Sequence, residues 1–270
     1  MSYSVLSWNI LGPATRDVED YGFIRDDYGR LGKHLEIIQQ YQADILCFQE
    51  VDLTTLHFFN NFLLAQYTQL AYHEKGAHGG VVVYIKKSKF TIVNTISSVL
   101  KTNEKFAPGA FCGGIIKNVA DGSDLFIASV HLSKSSHPQV VSRALTQISD
   151  LCIRLKSNLP SQIIFAGDFN TMYEDMKEIV VPAMSQILSN ILLMFEHESC
   201  TANSVKGELK SIDHVIYSNL QINLTQSCVV SKKYKHIDTV DRVQNIEKNN
   251  QNLIYKELPS DHAPILVVFE

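Results

Sequence analysis

The stretch AGDFNT, residues 166–171, sets Asp168 and Asn170 directly after the apolar run QIIF. Gly, Asp and Asn favour turns wherever strands end, so the stretch alone reads as a turn. The same residue types recur at the ends of other apolar runs. Asn9 ends VLSW, Gln49 and Glu50 end DILCF, and His131 ends LFIASV. Asp213 and His214 precede VIYS, and Asp261 and His262 precede the last run, APILVVFE. Each has a plain reading: Asn9 as a turn amide, Glu50 as a solvated acid near Thr54, His131 as a half-buried bonded ring, Asp261 and His262 as a loop cap. Independent turns would not all draw on carboxylate, carboxamide and imidazole, so the set implies convergence on one rim.

The chemistry of such a rim is legible. There is no HExxH and no cysteine–histidine cluster, which disfavours zinc. Oxygen donors suit a hard divalent cation, Mg²⁺ with Mn²⁺ as the alternative, held by one or two carboxylates. A phosphate ester is the natural substrate of such a site, because the metal offsets charge on the phosphoryl oxygens. His131 can donate to a non-bridging oxygen. Asp213 beside His262 would make an acid–imidazole pair that fixes the ring's tautomer. Asp168 would orient or deprotonate a water for in-line attack.

The elements that must position these groups follow from the apolar pattern. Residues 4–10, 44–50, 79–87, 90–96, 111–119, 125–132, 162–170, 212–218, 222–230 and the closing APILVVFE read as strands. ADGSD, between 111–119 and 125–132, is a hairpin signal. Helices are expected at 28–41, where Leu31, Leu35, Ile38 and Tyr41 share a face, and at 54–66. The clearest helix is 138–157, with Pro138 in its first turn and Val140, Val141, Ala144, Leu145, Ile148, Leu151, Cys152 and Leu155 on one stripe. Residues 172–195 read as helical pieces broken around Pro182. The polar stretch 231–257 reads as an insertion loop. Strands that follow one another through hairpins exclude a doubly wound parallel sheet and favour an α/β fold of mixed sheets packed face to face with helices outside. No domain boundary is visible, so residues 1–270 read as a single domain.

Composition narrows the class. Hydrophobic residues make up 45% and charged residues 19% of the 270, as in a globular protein with a sizeable core. The five cysteines are scattered, odd in number and without a CxxC pair, which argues against a disulfide framework. Cys47 and Cys152 fall in apolar patterns as core thiols. No signal peptide and no membrane-length apolar run is evident, so an intracellular, cytoplasmic location is expected. The net charge of −4 lacks the basic bias of proteins that track nucleic-acid backbone. KKSK (86–89) and KKYKH (232–236) read as solvated surface rather than binding patches.

SWNI, LCFQEV, SVHL, GDFN, IDHV and LPSDHAP, in that order, resemble the motif series of the endonuclease/exonuclease/phosphatase superfamily, the deoxyribonuclease I-like fold. The series runs from residue 7 to residue 264, nearly the whole chain. The resemblance implies a four-layered α/β sandwich with two packed mixed β-sheets flanked by helices, and Mg²⁺-dependent cleavage of phosphoester bonds. Carried over by motif, Glu50 would be the main metal ligand, Asn9 would support the metal and Asp261 would sit beside it. His131 and Asn170 would contact the scissile phosphate, Asn170 also stabilising the transition state. Asp168 would position the nucleophilic water, and Asp213 would orient His262. His214 receives no role and is expected to be structural.

SWNILGP, ADILCFQEVD, CTANSVKGELKSIDHVIYS and LPSDHAPILVVFE are similar to the deadenylase, nocturnin and 2′,5′-phosphodiesterase branch. That branch implies a 3′ exoribonuclease acting on single-stranded RNA. Residues 200–211 hold no aromatic side chain for base stacking, leaving Phe106, Phe111, Phe169 and Tyr173 as candidates. Competing expectations are a DNA endonuclease or exonuclease, an inositol-phosphate or sphingomyelin phosphoesterase, and an inactive binding module on the same fold. Buried charge without function would cost desolvation free energy, which disfavours the last.

Overall fold

ILCF, VVVYI, LFIASV and IIFA are apolar at successive positions. A strand that is apolar on both faces needs cover on both sides. The computed structural model describes residues 2–12, 27–76, 79–100, 108–133, 140–155, 159–188, 193–196, 202–203, 209–218, 224–229, 260, 262 and 264–269. The order is β1 (Tyr3–Asn9), α1 (Asp27–Tyr41), β2 (Ile45–Val51), α2 (Leu53–Leu63), β3 (Tyr67–His73), β4 (Gly80–Lys86) and β5 (Phe90–Leu100). Then come β6 (Gly109–Asn118), β7 (Asp124–His131), α3 (Val140–Leu155), β8 (Gln162–Asp168), α4 (Tyr173–Asp175), a π segment (Met176–Val180) and α5 (Val181–Ile187). The remainder is β9 (Leu193–Glu196), β10 (Ala202–Asn203), β11 (Leu209–Lys210), β12 (Asp213–Ser218), β13 (Leu224–Val229) and β14 (Ile265–Phe269).

Two six-stranded mixed sheets result, ordered β13-β14-β1-β2-β4-β3 and β5-β6-β7-β8-β12-β9, with a small β10-β11 ribbon. Three apolar clusters define the layers. Val5, Ile45, Cys47 and Val83 of the first sheet meet Cys112, Ile127, Ile164 and Val215 of the second. On the first sheet's outer face, Leu6, Trp8, Phe48 and Tyr84 pack against Leu31, Leu35, Ile38, Leu56 and Phe59. On the second sheet's outer face, Phe126, Ala128, Phe165 and Ile216 pack against Ala144, Ile148, Leu151, Cys152 and Met184. This is the expected four-layered α/β sandwich. Cys47 and Cys152 are fully buried thiols, as their patterns implied.

The differences from expectation have physical causes. The helix expected at 54–66 ends at Leu63, and after a turn residues 67–73, given no element by the apolar pattern, form β3. It is an edge strand, mostly half-exposed, so its apolar signal is weak. Pro182 does not break the helical run. It sits in the first turn of α5, and the preceding Val181 N–H donates to Met176 O, five residues back. That π turn carries the chain past a residue that cannot donate. Residues 193–196 form strand β9, not helix, paired with β12. The 231–257 loop, KKYKH and Phe106 lie outside the described residues.

KKSK is spent on structure. Lys86 and Lys89 reach Asp44 at 3.4 and 2.8 Å, and Lys87 donates to Leu64 O at 2.6 Å. Phe111 and Phe169 are core residues, so neither offers a face to a base. Among the described residues no helix is long and apolar enough to cross a membrane.

Candidate active site

Strand pairing brings the rim together. β1 and β2 are parallel with Asn9 opposite Gln49, so both end at the same edge. β14 runs antiparallel to β1 with Ile265 opposite Ser7, which carries the residues before it, His262 included, to that edge. In the second sheet β7 and β8 are parallel with His131 opposite Asp168, and antiparallel β12 sets Asp213 opposite Asp168. Gly167 permits the close pairing, because a Cβ there would collide with the Val130 carbonyl.

Asn9 is the hub. Its Nδ2 donates to Glu50 Oε1 and to Asp168 Oδ2, both at 3.0 Å, and so links the two sheets. Two amide hydrogens are thereby used, and the 3.5 Å approach of His262 Nε2 is a contact rather than a third bond. Asn9 Oδ1 accepts from Leu11 N at 3.1 Å, so the turn role is also filled, by the other end of the same amide.

Glu50 is delivered by a bulge. Gln49 pairs with Val81 and Val51 with Gly80, leaving Glu50 as the extra residue, with φ of 59°. Gly79 at φ 71° lies against it, and a Cβ there would stand 2.5 Å from the Glu50 carbonyl carbon. The helix-entry role goes to Asp52, which accepts from Thr55 N at 2.8 Å. Gln49 points between the sheets and donates to Ser129 Oγ at 3.0 Å, so it is a core amide and not part of the rim. Of four non-glycine residues at positive φ among those described, Leu11, Glu50 and Asn170 flank this site. Such strain persists where the surroundings over-determine it.

His262 Nδ1–H donates to Asp213 Oδ2 at 2.8 Å. That bond keeps a proton on Nδ1 and turns Nε2 toward Asp168 Oδ2 at 3.8 Å. The His262 backbone is also fixed: its carbonyl accepts from Trp8 Nε1 at 2.9 Å and its N–H donates to Ser260 Oγ at 3.1 Å. His131 Nε2 lies 3.9 Å from Glu50 Oε1 and 3.8 Å from Asp168 Oδ2. Asn170 N donates to Asp168 Oδ1 at 2.8 Å, and its Nδ2 donates to Leu132 O at 2.8 Å, which fixes the amide plane. AGDFNT is therefore a turn and part of the rim at once. His214 is buried elsewhere with Nε2 2.8 Å from Thr171 O, structural as expected. Asp261 lies outside the described residues.

Burial pushes the Asp168 carboxyl up to about 7; the Asp213 charge adds to this, and His262 and the bonds from Asn170 and Asn9 oppose it. A carboxylate titrating there is poised to exchange a proton with water at neutral pH. Lys75 was not foreseen. It sits between β3 and β4, where burial lowers its pKa while Glu50 and Asp168 work the other way. Its polar surroundings, HEKGAHGG, carry no periodic signal. Trp8 and Ser260 were equally silent, since Trp8 reaches His262 O and Ser260 donates to Asn9 O, both remote in the chain.

The donor set fits a hard divalent ion. Glu50, Asp168 and Asp213 supply oxygens, and Asp168, Asp213 and His262 bring one ligand-type atom each within 4.8 Å of one another. In that trio His262 Nδ1 is already engaged by Asp213, whereas Glu50 is the most exposed of the three carboxylates, with 14% of its side chain accessible. Glu50 is thus the carboxylate most open to an incoming ion.

A family model described as "Endonuclease/Exonuclease/phosphatase family" matches residues 6–262. The chain belongs to that family, whose members are hydrolytic phosphoesterases and nucleases that generally use divalent metal ions. No curated protein matched by sequence. Among solved structures, the human Nocturnin catalytic domain with bound sulfate is similar with a TM-score of 0.70 and 21% identity, over 100% of this chain and 94% of that one. ANGEL2, a 2′,3′-cyclic phosphatase in complex with adenosine-2′,3′-vanadate, gives 0.75 and 16%, over 100% and 95%. D. rerio TDP2 with a single-strand DNA product gives 0.67 and 15%, over 100% and 99%. At these identities the likeness is one of fold.

Proposed function

We propose that the chain, acting as one catalytic domain, is a Mg²⁺-dependent phosphodiesterase that hydrolyses the 3′-terminal linkage of single-stranded RNA. The observation that carries the chemistry is the bridge Glu50–Asn9–Asp168, with the Asp213–His262 pair beside it. When bound, the divalent ion would offset charge on the phosphoryl oxygens, with Mn²⁺ the alternative ion. Glu50 would hold it, Asn9 would steady Glu50 and support the site, and the motif suggests Asp261 beside the ion. Asp168 takes the proton of the attacking water. His131 and Asn170 contact the phosphate oxygens, and Asp213 keeps the His262 ring in place for the same group.

Two observations support a substrate gripped at its end. The net charge is −4, and the KKSK run is committed to Asp44 and a backbone carbonyl, so it is not a track for a long duplex. The branch motifs favour RNA, and the adenosine ligand in the ANGEL2 complex is compatible with a nucleotide end.

Purified protein with Mg²⁺ or Mn²⁺ should be tested against oligo(A), mixed RNA, RNA ending in a 2′,3′-cyclic phosphate, nicked and abasic DNA, inositol phosphates and sphingomyelin. Stepwise 3′ shortening of RNA is expected. Turnover confined to DNA or to the lipid and inositol substrates would overturn the RNA reading. Opening of the cyclic phosphate without shortening would replace it with an end-processing role.

A further inference from the structure

Arg30, early in α1, is only 1% exposed. A buried guanidinium is costly unless its charge is used. Its Nη1 donates to Ile10 O at 2.6 Å and to Leu11 O at 3.0 Å. These carbonyls belong to the turn that leaves β1, where Leu11 is held at φ 62°. A left-handed leucine costs roughly 1–2 kcal/mol, so something must hold it there.

The same turn grips Glu50. Gly12 N donates to Glu50 Oε2 at 2.7 Å, and Asn9 Nδ2 donates to Glu50 Oε1 at 3.0 Å. One donor thus serves each carboxylate oxygen. The Leu11 carbonyl and the Gly12 N–H are two ends of one planar trans peptide unit and point in opposite directions. Tying the oxygen to Arg30 therefore aims the hydrogen at Glu50, and the guanidinium polarises the peptide in the sense that strengthens that donor. Leu11 N, bonded to Asn9 Oδ1 at 3.1 Å, locks the remaining amide.

We infer that Arg30 is a positioning residue for Glu50, acting through the Leu11–Gly12 peptide to set the carboxylate for a divalent cation. This rests on the reading of Glu50 as a metal ligand. The Arg30 bonds to Ile10 O and Leu11 O act on the turn and not on Glu50 directly. Its effect belongs on metal affinity, where outer partners of ligands usually act by ~10–100-fold.

The test is Mn²⁺ binding to purified protein, by calorimetry or by electron paramagnetic resonance of free Mn²⁺, for wild type, Glu50→Gln, Arg30→Met and Arg30→Lys, with thermal unfolding in parallel. Arg30→Met should weaken Mn²⁺ by at least ~10-fold, with Arg30→Lys between it and wild type, because an ammonium keeps charge and donors but on a shorter side chain. If Arg30→Met fails to fold, Arg30→Lys alone carries the comparison. Glu50→Gln weakened while both Arg30 variants bind like wild type would overturn this inference and leave the Glu50 reading intact. Equal Mn²⁺ affinity in wild type and Glu50→Gln would overturn both.

Discussion

Asp168 and Asp213 face each other across adjacent antiparallel strands, the last residue of β8 against the first of β12. Both are buried, 2% exposed each. Like charges directly opposite on a sheet are destabilising, more so away from water. His262 is the relief: it bonds Asp213 at 2.8 Å and turns its other nitrogen toward Asp168 at 3.8 Å. The arrangement leaves Asp168 as the acid that keeps its proton up to neutral pH.

Stability of the metal-free protein should therefore fall as pH rises through neutrality. Asp168 titrates near 7 when folded, well above an ordinary carboxyl, mainly through burial and then the Asp213 charge. A folded pKa above the unfolded one means that the native state holds the proton more tightly. The contribution is full below about pH 4 and is lost as pH climbs through 7. Denaturant unfolding in EDTA between pH 5 and 8 should show wild type losing stability relative to Asp168→Asn. Mn²⁺ should restore more at pH 8 than at pH 6, since ligands must be deprotonated. A gap between the two proteins that does not change with pH would contradict this.

Asp213→Asn should separate chemistry from binding. It removes the charge that helps raise Asp168 and the acceptor that fixes the His262 tautomer. Turnover should drop by ~100-fold or more, the usual scale for a disabled acid–base group. Mn²⁺ affinity should stay within a few-fold, and the acid limb of the rate profile should move to lower pH. Wild-type turnover in this variant would remove His262 and Asp213 from the mechanism.

Gly79→Ala should damage the site from behind. Position 79 is at φ 71°, and an added Cβ would press on the backbone of Glu50. A cost of about 1–3 kcal/mol is expected from a side chain in that conformation, together with weaker metal binding as Glu50 shifts. Unchanged unfolding and unchanged Mn²⁺ affinity would show that the loop yields freely.

Replacing Lys86 and Lys89 together by Gln should leave hydrolysis of RNA and its salt dependence as in wild type. Both ammonium groups are engaged with Asp44, at the end of β2 away from Glu50. Thermal stability should fall instead, because Asp44 is left buried with fewer cationic partners; a half-exposed pair of this kind contributes about 1 kcal/mol or less. A flatter salt dependence of RNA binding would mark the cluster as a phosphate contact after all.

Much of this protein was legible in one dimension. The continuous apolar runs specified strands covered on both faces, and the chemically loaded residues at their ends named the reaction class, because strand ends are where a sheet presents side chains to a rim. The stripe of α3 held for the same reason: Ala144, Ile148, Leu151 and Cys152 recur with the helical period and all are buried. The mixed sheets decided what periodicity could not. Asn9 meets Asp168 because the two sheets are stacked face to face. Glu50, and not Gln49, faces the rim because a bulge adds one residue, and a period of two assigns neighbours to opposite faces. Trp8, Ser260 and Arg30 donate to backbone carbonyls remote in the chain, those of His262, of Asn9, and of Ile10 and Leu11, and such contacts leave no local pattern. Sequence determined which groups were available; tertiary structure decided which of them share a site, since distance along the chain does not fix distance in space.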